Sequence, residues 1–359
     1  MATQADTAVV VGTVSDYLTA KGDAKLYNIN LPAGVYLQAQ LTTPANADLD
    51  YDLYLLDAEG NILTGSDYYT YINGTAGTLP EALGYITSGD TATYYLYVLA
   101  SEGGSVSESF TLDYSVSTAC DSYEIDESVR QALAFTYGAG GAYIESRNLS
   151  SPIDNDWYVI TVPSSRIYDK LKISATTAST NTCSVEVYQN VASEGYQMKR
   201  VGSGNTISVS SGKYYIRVSN AKTMENFDDL DIQNYKLSIT PILKATGIVI
   251  TDLKGSEGLN KVVNYPGYGA HFRTQGSGTL TVYGVLTATD SSTGVTYAVG
   301  GEQINGLYYS PAWEANNTSA NAIRRGTGTT DSSGKFEIDI SLPPGIGVYS
   351  YYGSTSTHY

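Results

Sequence analysis

Cysteine and histidine are nearly missing from this chain, with two of each in 359 residues. Two cysteines cannot make a disulfide scaffold. They leave either one bridge between Cys120 and Cys183 in an oxidising compartment, or two buried thiols. Neither histidine, His271 nor His358, stands in a catalytic frame. Gly-x-Ser-x-Gly elbows, His-Glu-x-x-His helices and Cys–His arrangements are absent, so the chain reads as a non-enzyme. Paired carboxylates of the glycosidase kind are plentiful, but in an acidic β protein they read as solvated surface acids. No run of about 20 apolar residues is present to cross a bilayer as a helix. Basic residues are also scarce, 20 against 36 acidic ones, for a net charge of −16. Without a basic stripe nothing displaces phosphate counterions, which argues against a nucleic-acid partner.

Long Leu/Ala/Glu/Lys-rich stretches are lacking too, and a helical period shows only over residues 126–135. What is abundant is tyrosine, 33 residues against 5 Phe and 2 Trp, together with 36 Gly. Aromatic and β-branched residues fit a pleated, half-buried surface, so the composition predicts an all-β fold. Acidity is concentrated at the front: residues 1–119 hold 14 Asp/Glu and 2 Lys/Arg. Residues 120–243 hold 14 and 11, and residues 244–359 hold 8 and 7. Such a charge suits a secreted protein, or one that meets divalent cations. No leader is visible, and Met1 followed by "ATQADTAVVVGTVS" reads as a mature start behind an added Met. A secreted, extracellular or cell-surface location is therefore expected.

The chain repeats itself. "KLYNINLPAGVYLQAQL" (25–41) is echoed by "DWYVITVPSSRIYDKLKIS" (156–174), "ATYYLYVLAS" (92–101) by "GKYYIRVSNA" (212–221), and "ESFTLDYSVS" (108–117) by "QNYKLSITPI" (233–242). Short strands of alternating polarity separated by "DAEGN", "INGTAG", "VGSGN" and "SSGK" indicate antiparallel sandwiches or jelly rolls. A third segment places "DSSTG" and "DSSGK" between alternating strands, a hairpin signal in a domain of immunoglobulin-like size. The expectation is three consecutive antiparallel β-sandwich domains, over residues 1–119, 120–243 and 244–359.

The second copy opens "CDSYEIDESVRQALAFTYGAGGAYIESRNLSSPIDNDWYVITVP". It resembles the bacterial pre-peptidase C-terminal domain, in which an acidic linker precedes a turn of helix, a Gly and an Asp-x-Asp-Trp-Tyr strand. Ile125 and Asp126 stand where that family shows Pro and Asn. The first copy has the sandwich pattern but lacks the linker, and the third domain resembles only a generic immunoglobulin-like or carboxypeptidase-regulatory module. The resemblance implies calcium at the linker, through Glu124, Asp126, Glu127, Asp154 and Asp156, with Tyr158 nearby. Calcium takes six to eight oxygens in flexible geometry, which a linker folded over a strand start can offer. The plainer reading is an acidic linker capping a short helix.

"DLDYDLYLLDAEGN" (48–61) imitates a calcium loop. An EF-hand needs Gly at its sixth position, and Leu53 stands there. Leu49, Tyr51, Leu53 and Leu55 alternate with Asp50, Asp52 and Tyr54, so a half-buried strand is predicted, with a cation among Asp48, Asp50 and nearby loops as the alternative. Tyr308, Tyr309 and Trp313, beside a turn, are candidates for stacking on a sugar ring or a protein partner, against the reading that they are ordinary strand and core aromatics. The uncharged arm over residues 7–15 pairs either with its own sheet or with a neighbouring copy.

These features suggest a non-catalytic secreted or cell-surface protein for adhesion, substrate anchoring or extracellular assembly, rigidified by calcium. Expected partners are an extracellular protein or polysaccharide surface. The alternatives are a filament or surface-array subunit exchanging strands, a carbohydrate-binding accessory region, and a detached accessory region of a hydrolase.

Overall fold

The computed structural model describes residues 10–46, 48–67, 69–72, 75–76, 80–118, 120–177, 183–191, 197–203, 206–220, 233–255, 259–265, 269–275, 278–308, 324–342 and 346–350. All regular structure among them is β. The chain divides into two compact units, residues 1–164 with 170–241, and residues 165–169 with 242–359.

Alternation of apolar and polar residues builds the first part of unit one. Its strands are β1 (Val10–Asp16), β2 (Ala24–Leu31), β3 (Tyr36–Thr42), β4 (Asp50–Leu56), β5 (Ile62–Ser66), β6 (Tyr69–Ile72), β7 (Thr75–Ala76), β8 (Glu81–Ile86), β9 (Ala92–Glu102) and β10 (Phe110–Ser117). Two four-stranded sheets, ordered β1-β10-β3-β8 and β2-β9-β4-β5, enclose a core. Leu37, Ala39, Leu41, Phe110 and Leu112 enter it from one sheet, and Tyr51, Leu53, Leu55, Leu96 and Val98 from the other. Strand β4 is the stretch that imitates a calcium loop. Its Tyr51, Leu53 and Leu55 are fully buried, and the turn after it is closed by Asp57, whose carboxylate accepts the amides of Glu59 and Asn61. Gly60 there takes φ +86°, a left-handed conformation that glycine adopts without steric penalty. From residue 10 onward the arm runs as β1 along β10 of its own sheet, from Val10↔Val116 to Asp16↔Phe110.

The second sandwich comprises β11 (Leu133–Ala134), β12 (Ala142–Leu149), β13 (Asn155–Val162), β14 (Tyr168–Thr177), β15 (Cys183–Asn190), β16 (Gln197–Ser203), β17 (Thr206–Ser208), β18 (Gly212–Asn220) and β19 (Gln233–Leu243). Its sheets run β12-β19-β14-β17 and β13-β18-β15-β16, with β11 added at one end of the latter. Strand for strand this is the order of the first sandwich, and the repeated sequences fall on corresponding strands. The expected helical turn over 126–135 is not formed. A single turn closes with Gln131 N–H donating to Ser128 O at 2.9 Å, and Leu133–Ala134 then pairs in parallel with β13. Hydrogen bonding to an existing strand satisfies more backbone than one isolated helical turn would.

Hairpin β6–β7 does not rejoin its own sheets. Strand β6 pairs in parallel with β16, Gln197↔Tyr69 through Lys199↔Tyr71, extending the second sandwich's sheet to seven strands. Both sandwiches therefore fall within one compact unit.

Unit two holds β20 (Gly247–Gly255), β21 (Leu259–Tyr265), β22 (Gly269–Gln275), β23 (Gly278–Thr289), β24 (Thr296–Ala298), β25 (Gln303–Tyr308), β26 (Arg324–Thr329), β27 (Lys335–Leu342) and β28 (Ile346–Ser350). Strand β23 is central, flanked by β20 and β27, with β24 pairing its end. Strands β21-β22-β28 and β25-β26 form two further sheets. Leu280, Val282, Phe336, Ile338 and Ile340 make its core. Both "DSSTG" and "DSSGK" are Asp-closed turns: Asp290 accepts from Ser292 and Asp331 from Ser333 and Lys335.

Candidate metal centre

Strand β3 alternates Leu37, Ala39 and Leu41 toward the core with Tyr36, Gln38 and Gln40 away from it. Tyr36 and Gln38 are nonetheless buried, each 1% exposed, because linker residues 124–127 lie over them. The neighbouring strand β8 allows this approach by carrying Gly84 opposite Gln38. A Cβ at Gly84 would stand 2.7 Å from Glu127 Cγ, from Ile125 Cγ2 and from the Tyr36 hydroxyl. From the second sandwich, β13 delivers Asp156 and Tyr158 to the interior and Asn155 and Trp157 to the other face. The linker joins that strand's start, with Trp157 N–H donating to Asp126 O at 3.0 Å.

The five predicted acids converge here. Glu124, Asp126 and Asp156 each place one carboxylate oxygen within 4.8 Å of the others. Two ligands of one calcium ion, each at 2.3–2.6 Å, can stand about 5 Å apart at most, so the three oxygens fit one ion. Asp154 lies alongside, fully buried, with Oδ2 accepting from the Ser150 amide and, at 2.8 Å, from its hydroxyl. Glu127 has neither oxygen to spare. Its Oε1 accepts from Tyr36 at 2.5 Å and Gln38 at 2.7 Å, and its Oε2 from Asn155 N–H at 3.1 Å. It pins the linker to both sandwiches.

Tyr158 acts in a chain of donors. Arg147 Nε donates to the Tyr158 hydroxyl at 2.7 Å, Tyr158 lies 2.5 Å from Tyr235 Oη, and Tyr235 donates to Asp156 Oδ2. Arg147 is fully buried, and its remaining nitrogens reach Asp121 at 2.6 Å, Asp126 at 2.5 Å and Asp156 at 2.8 Å. The sequence reading missed Arg147, because an arginine in a strand is expected to face solvent. Strand β12 carries a bulge between Ile144 and Arg147, with Ser146 at φ 62°, and the extra residue shifts the strand's phase and turns Arg147 inward. Gln38 and Tyr36 were missed as well, although an uncharged polar face on β3 was visible in "VYLQAQL".

Charge does not balance in this pocket of acids. Six carboxylates, those of Asp121, Glu124, Asp126, Glu127, Asp154 and Asp156, meet the one guanidinium of Arg147. Burial pushes the Glu124 carboxyl up to about 7, and neighbouring Asp154 adds to the rise. Asp126, Glu127 and Asp156 are raised well above the ordinary range, by burial first and then by neighbouring carboxylates. Asp154 is raised by burial and partly held down by Ser150. Tyr36 approaches both Glu124 Oε2 at 2.7 Å and Glu127 Oε1 at 2.5 Å, yet its one hydroxyl proton serves one acceptor at a time.

Buried oxygens here also lack donors. Glu124 Oε1, Asp126 Oδ1, Asp154 Oδ1, Asp156 Oδ1 and Gln38 Oε1 have no hydrogen-bond partner. Asp156 Oδ1 is near Arg147 but receives charge without a well-directed N–H. A cation supplies what such acceptors need, and the residues present fit calcium: hard oxygens, several carboxylates, one carboxamide.

The other predicted sites fare differently. Cys120 and Cys183 are both half-buried thiols with no bridge between them. The pairing offered by the sequence is not made, and burial pushes the Cys183 thiol up to about 12. Tyr308 ends β25, and its side chain, with Tyr309 and Trp313, lies outside the described residues. Asp50 and Asp52 sit at the start of β4, where Asp52 accepts from Ser101 and, at 3.2 Å, from Tyr54. Among the described residues no helix is long and apolar enough to cross a membrane.

No family model matches the chain. The uncharacterised protein YlqB of Bacillus subtilis (strain 168) is 43% identical over 47 residues, 13% of this chain and 29% of that protein. The chain thus matches less than a third of that relative's length. Among solved structures, the CUB1-EGF-CUB2 region of human MASP-1/3 aligns with 64% of this chain and 99% of its own, at 11% identity and a TM-score of 0.19. The CBM22-1–CBM22-2 tandem of Paenibacillus barcinonensis Xyn10C aligns with 66% and 92%, at 13% identity and a TM-score of 0.19.

Proposed function

We propose that the paired sandwiches form a non-catalytic extracellular module in which calcium at the linker fixes one sandwich against the other. The rigid pair would serve adhesion, substrate anchoring or extracellular assembly. The observation that carries this reading is the close group of Glu124, Asp126 and Asp156, each with a buried oxygen that lacks a donor, in a linker that bonds to both sandwiches through Glu127. When bound, the ion would neutralise carboxylates that burial otherwise keeps protonated. Because the ligands come together only in the folded arrangement, its binding free energy stabilises that arrangement. The resemblance to pre-peptidase C-terminal domains, resting on the linker and the Asp-Asn-Asp-Trp-Tyr strand, favours the same ion.

One observation favours a metal-free cluster: Arg147 already contacts three of the acids. Without an ion, however, burial keeps most of these carboxyls protonated, and the calcium reading is preferred because Glu124, Asp126 and Asp156 bring their oxygens close enough to share one ion. Isothermal titration with calcium, and melting with and without EDTA, test it. A chelator-sensitive melting temperature that Asp156→Ala renders insensitive is expected. An EDTA-treated protein that melts where the calcium-loaded one does refutes the metal centre.

A further inference from the structure

The five acids singled out by sequence all belong to the linker and the second sandwich. We propose that the first sandwich supplies a ligand of its own, the side-chain carbonyl of Gln38, so that the ion is held across the two sandwiches rather than by one. This rests on the calcium reading above and adds to it a residue from a different part of the fold.

Gln38 is 1% exposed on the face of β3 turned away from its own core. Its amide nitrogen is committed: Nε2 donates to Glu127 Oε1 at 2.7 Å. With Glu127 ionised, that use of the NH₂ group sets which end of the amide is which, because exchanging the ends would place a carbonyl oxygen against a carboxylate. The remaining oxygen, Oε1, is buried and accepts no hydrogen bond. A buried amide oxygen without a donor costs roughly 1–3 kcal/mol. The carboxylate that Gln38 meets, Glu127, offers no donor when ionised, and other acids of the cluster carry orphaned oxygens of their own, Glu124 Oε1, Asp126 Oδ1, Asp154 Oδ1 and Asp156 Oδ1.

A cation held by Glu124, Asp126 and Asp156 and reached by Gln38 Oε1 would give that oxygen its missing partner, and neutral amide oxygens are ordinary calcium ligands beside carboxylates. Gly84, opposite Gln38 on β8, leaves the space through which the linker reaches it. Glu127, saturated by Tyr36, Gln38 and Asn155, then serves as the anchor that orients Gln38 rather than as a ligand. The consequence is reciprocal: calcium tightens the docking of the sandwiches, and docking tightens the calcium site.

The test uses the full chain with calcium titrations and europium(III) as a luminescent substitute, whose decay in H₂O and D₂O counts metal-bound waters. Gln38→Met keeps the side chain's length and removes the oxygen. Calcium affinity falling about tenfold or more, with one additional water on europium, is the expected result. If the methionine variant does not fold, the wild-type chain decides: calcium should shift the side-chain carbonyl ¹³C resonance of Gln38, and a resonance that calcium leaves unmoved would overturn its role as ligand. Weaker binding with an unchanged water count would make Gln38 a positioning residue and overturn its role as ligand. Unchanged affinity and water count in Gln38→Met would overturn the inference while leaving the metal centre standing. A wild-type chain that binds neither ion would instead remove the reading on which the inference rests.

Discussion

Removing calcium should make the stability of unit one fall as pH rises from 4.5 to 7, the reverse of ordinary acid denaturation. Glu124 carries the worked case, its carboxyl pushed from the usual 4.5 up to about 7 by burial and by Asp154. Below pH 4.5 the side chain is protonated in both the folded and the unfolded chain and has no effect. Between 4.5 and 7 the unfolded chain releases its proton first, so unfolding becomes more favourable. Above 7 the loss is complete. At 1.36 kcal/mol per pH unit the total is about 3 kcal/mol. For a unit of this size that lowers the melting temperature by roughly 6–12 °C. Calcium acts in the opposite sense because it binds the deprotonated carboxylates, so its stabilisation grows over the same interval. The assay is a set of melting curves from pH 4.5 to 8, in EGTA and in millimolar calcium. An EGTA series with no downward trend through this window would refute the argument from buried charge. Parallel EGTA and calcium series would refute the metal.

Three further outcomes are expected. Arg147→Met removes the buried cation from between Asp121, Asp126 and Asp156 and should cost about 3–5 kcal/mol in denaturant unfolding; a loss under 1 kcal/mol would show the ion pairs to be dispensable. Gly84→Val forces β8 away from the linker and should destabilise by about 1–3 kcal/mol while weakening calcium binding, whereas the same substitution at exposed Gly140, where a Cβ meets nothing within 4 Å, should leave calcium binding unchanged. Cys183 should react far more slowly than a free thiol with a maleimide at pH 8, because its pKa of about 12 leaves little thiolate; rapid labelling of both cysteines in the folded protein would contradict its burial.

Local periodicity was enough to read the strands. The alternation of Tyr51, Leu53 and Leu55 and the Asp57 turn made β4 legible as a strand despite its calcium-loop spacing, since a missing glycine and a period of two are both local facts. The repeated segments revealed the duplication for the same reason. The acids of the linker could be located but not sorted. That Glu127 is saturated while Glu124 keeps an oxygen depends on Tyr36 and Gln38, some ninety positions earlier in the chain. Arg147 was illegible because one bulged residue reverses the inward and outward sense of everything after it. The helical period at 126–135 misled because strand β13 offers parallel backbone partners there, a tertiary choice that overrides a weak local preference.

Hairpin β6–β7 sets an order of events for a chain made from its N-terminus. When the first sandwich has emerged, this hairpin has no sheet to join, because β16 does not yet exist. Its backbone donors and acceptors wait for a strand 128 residues downstream. Strand β16, once made, would end its sheet with an open edge, the kind of template that recruits other chains. Each sandwich thus carries the other's missing neighbour. Severing the chain between residues 119 and 120 would yield two pieces that are individually well patterned and yet adhesive, one offering a loose hairpin and the other a bare edge.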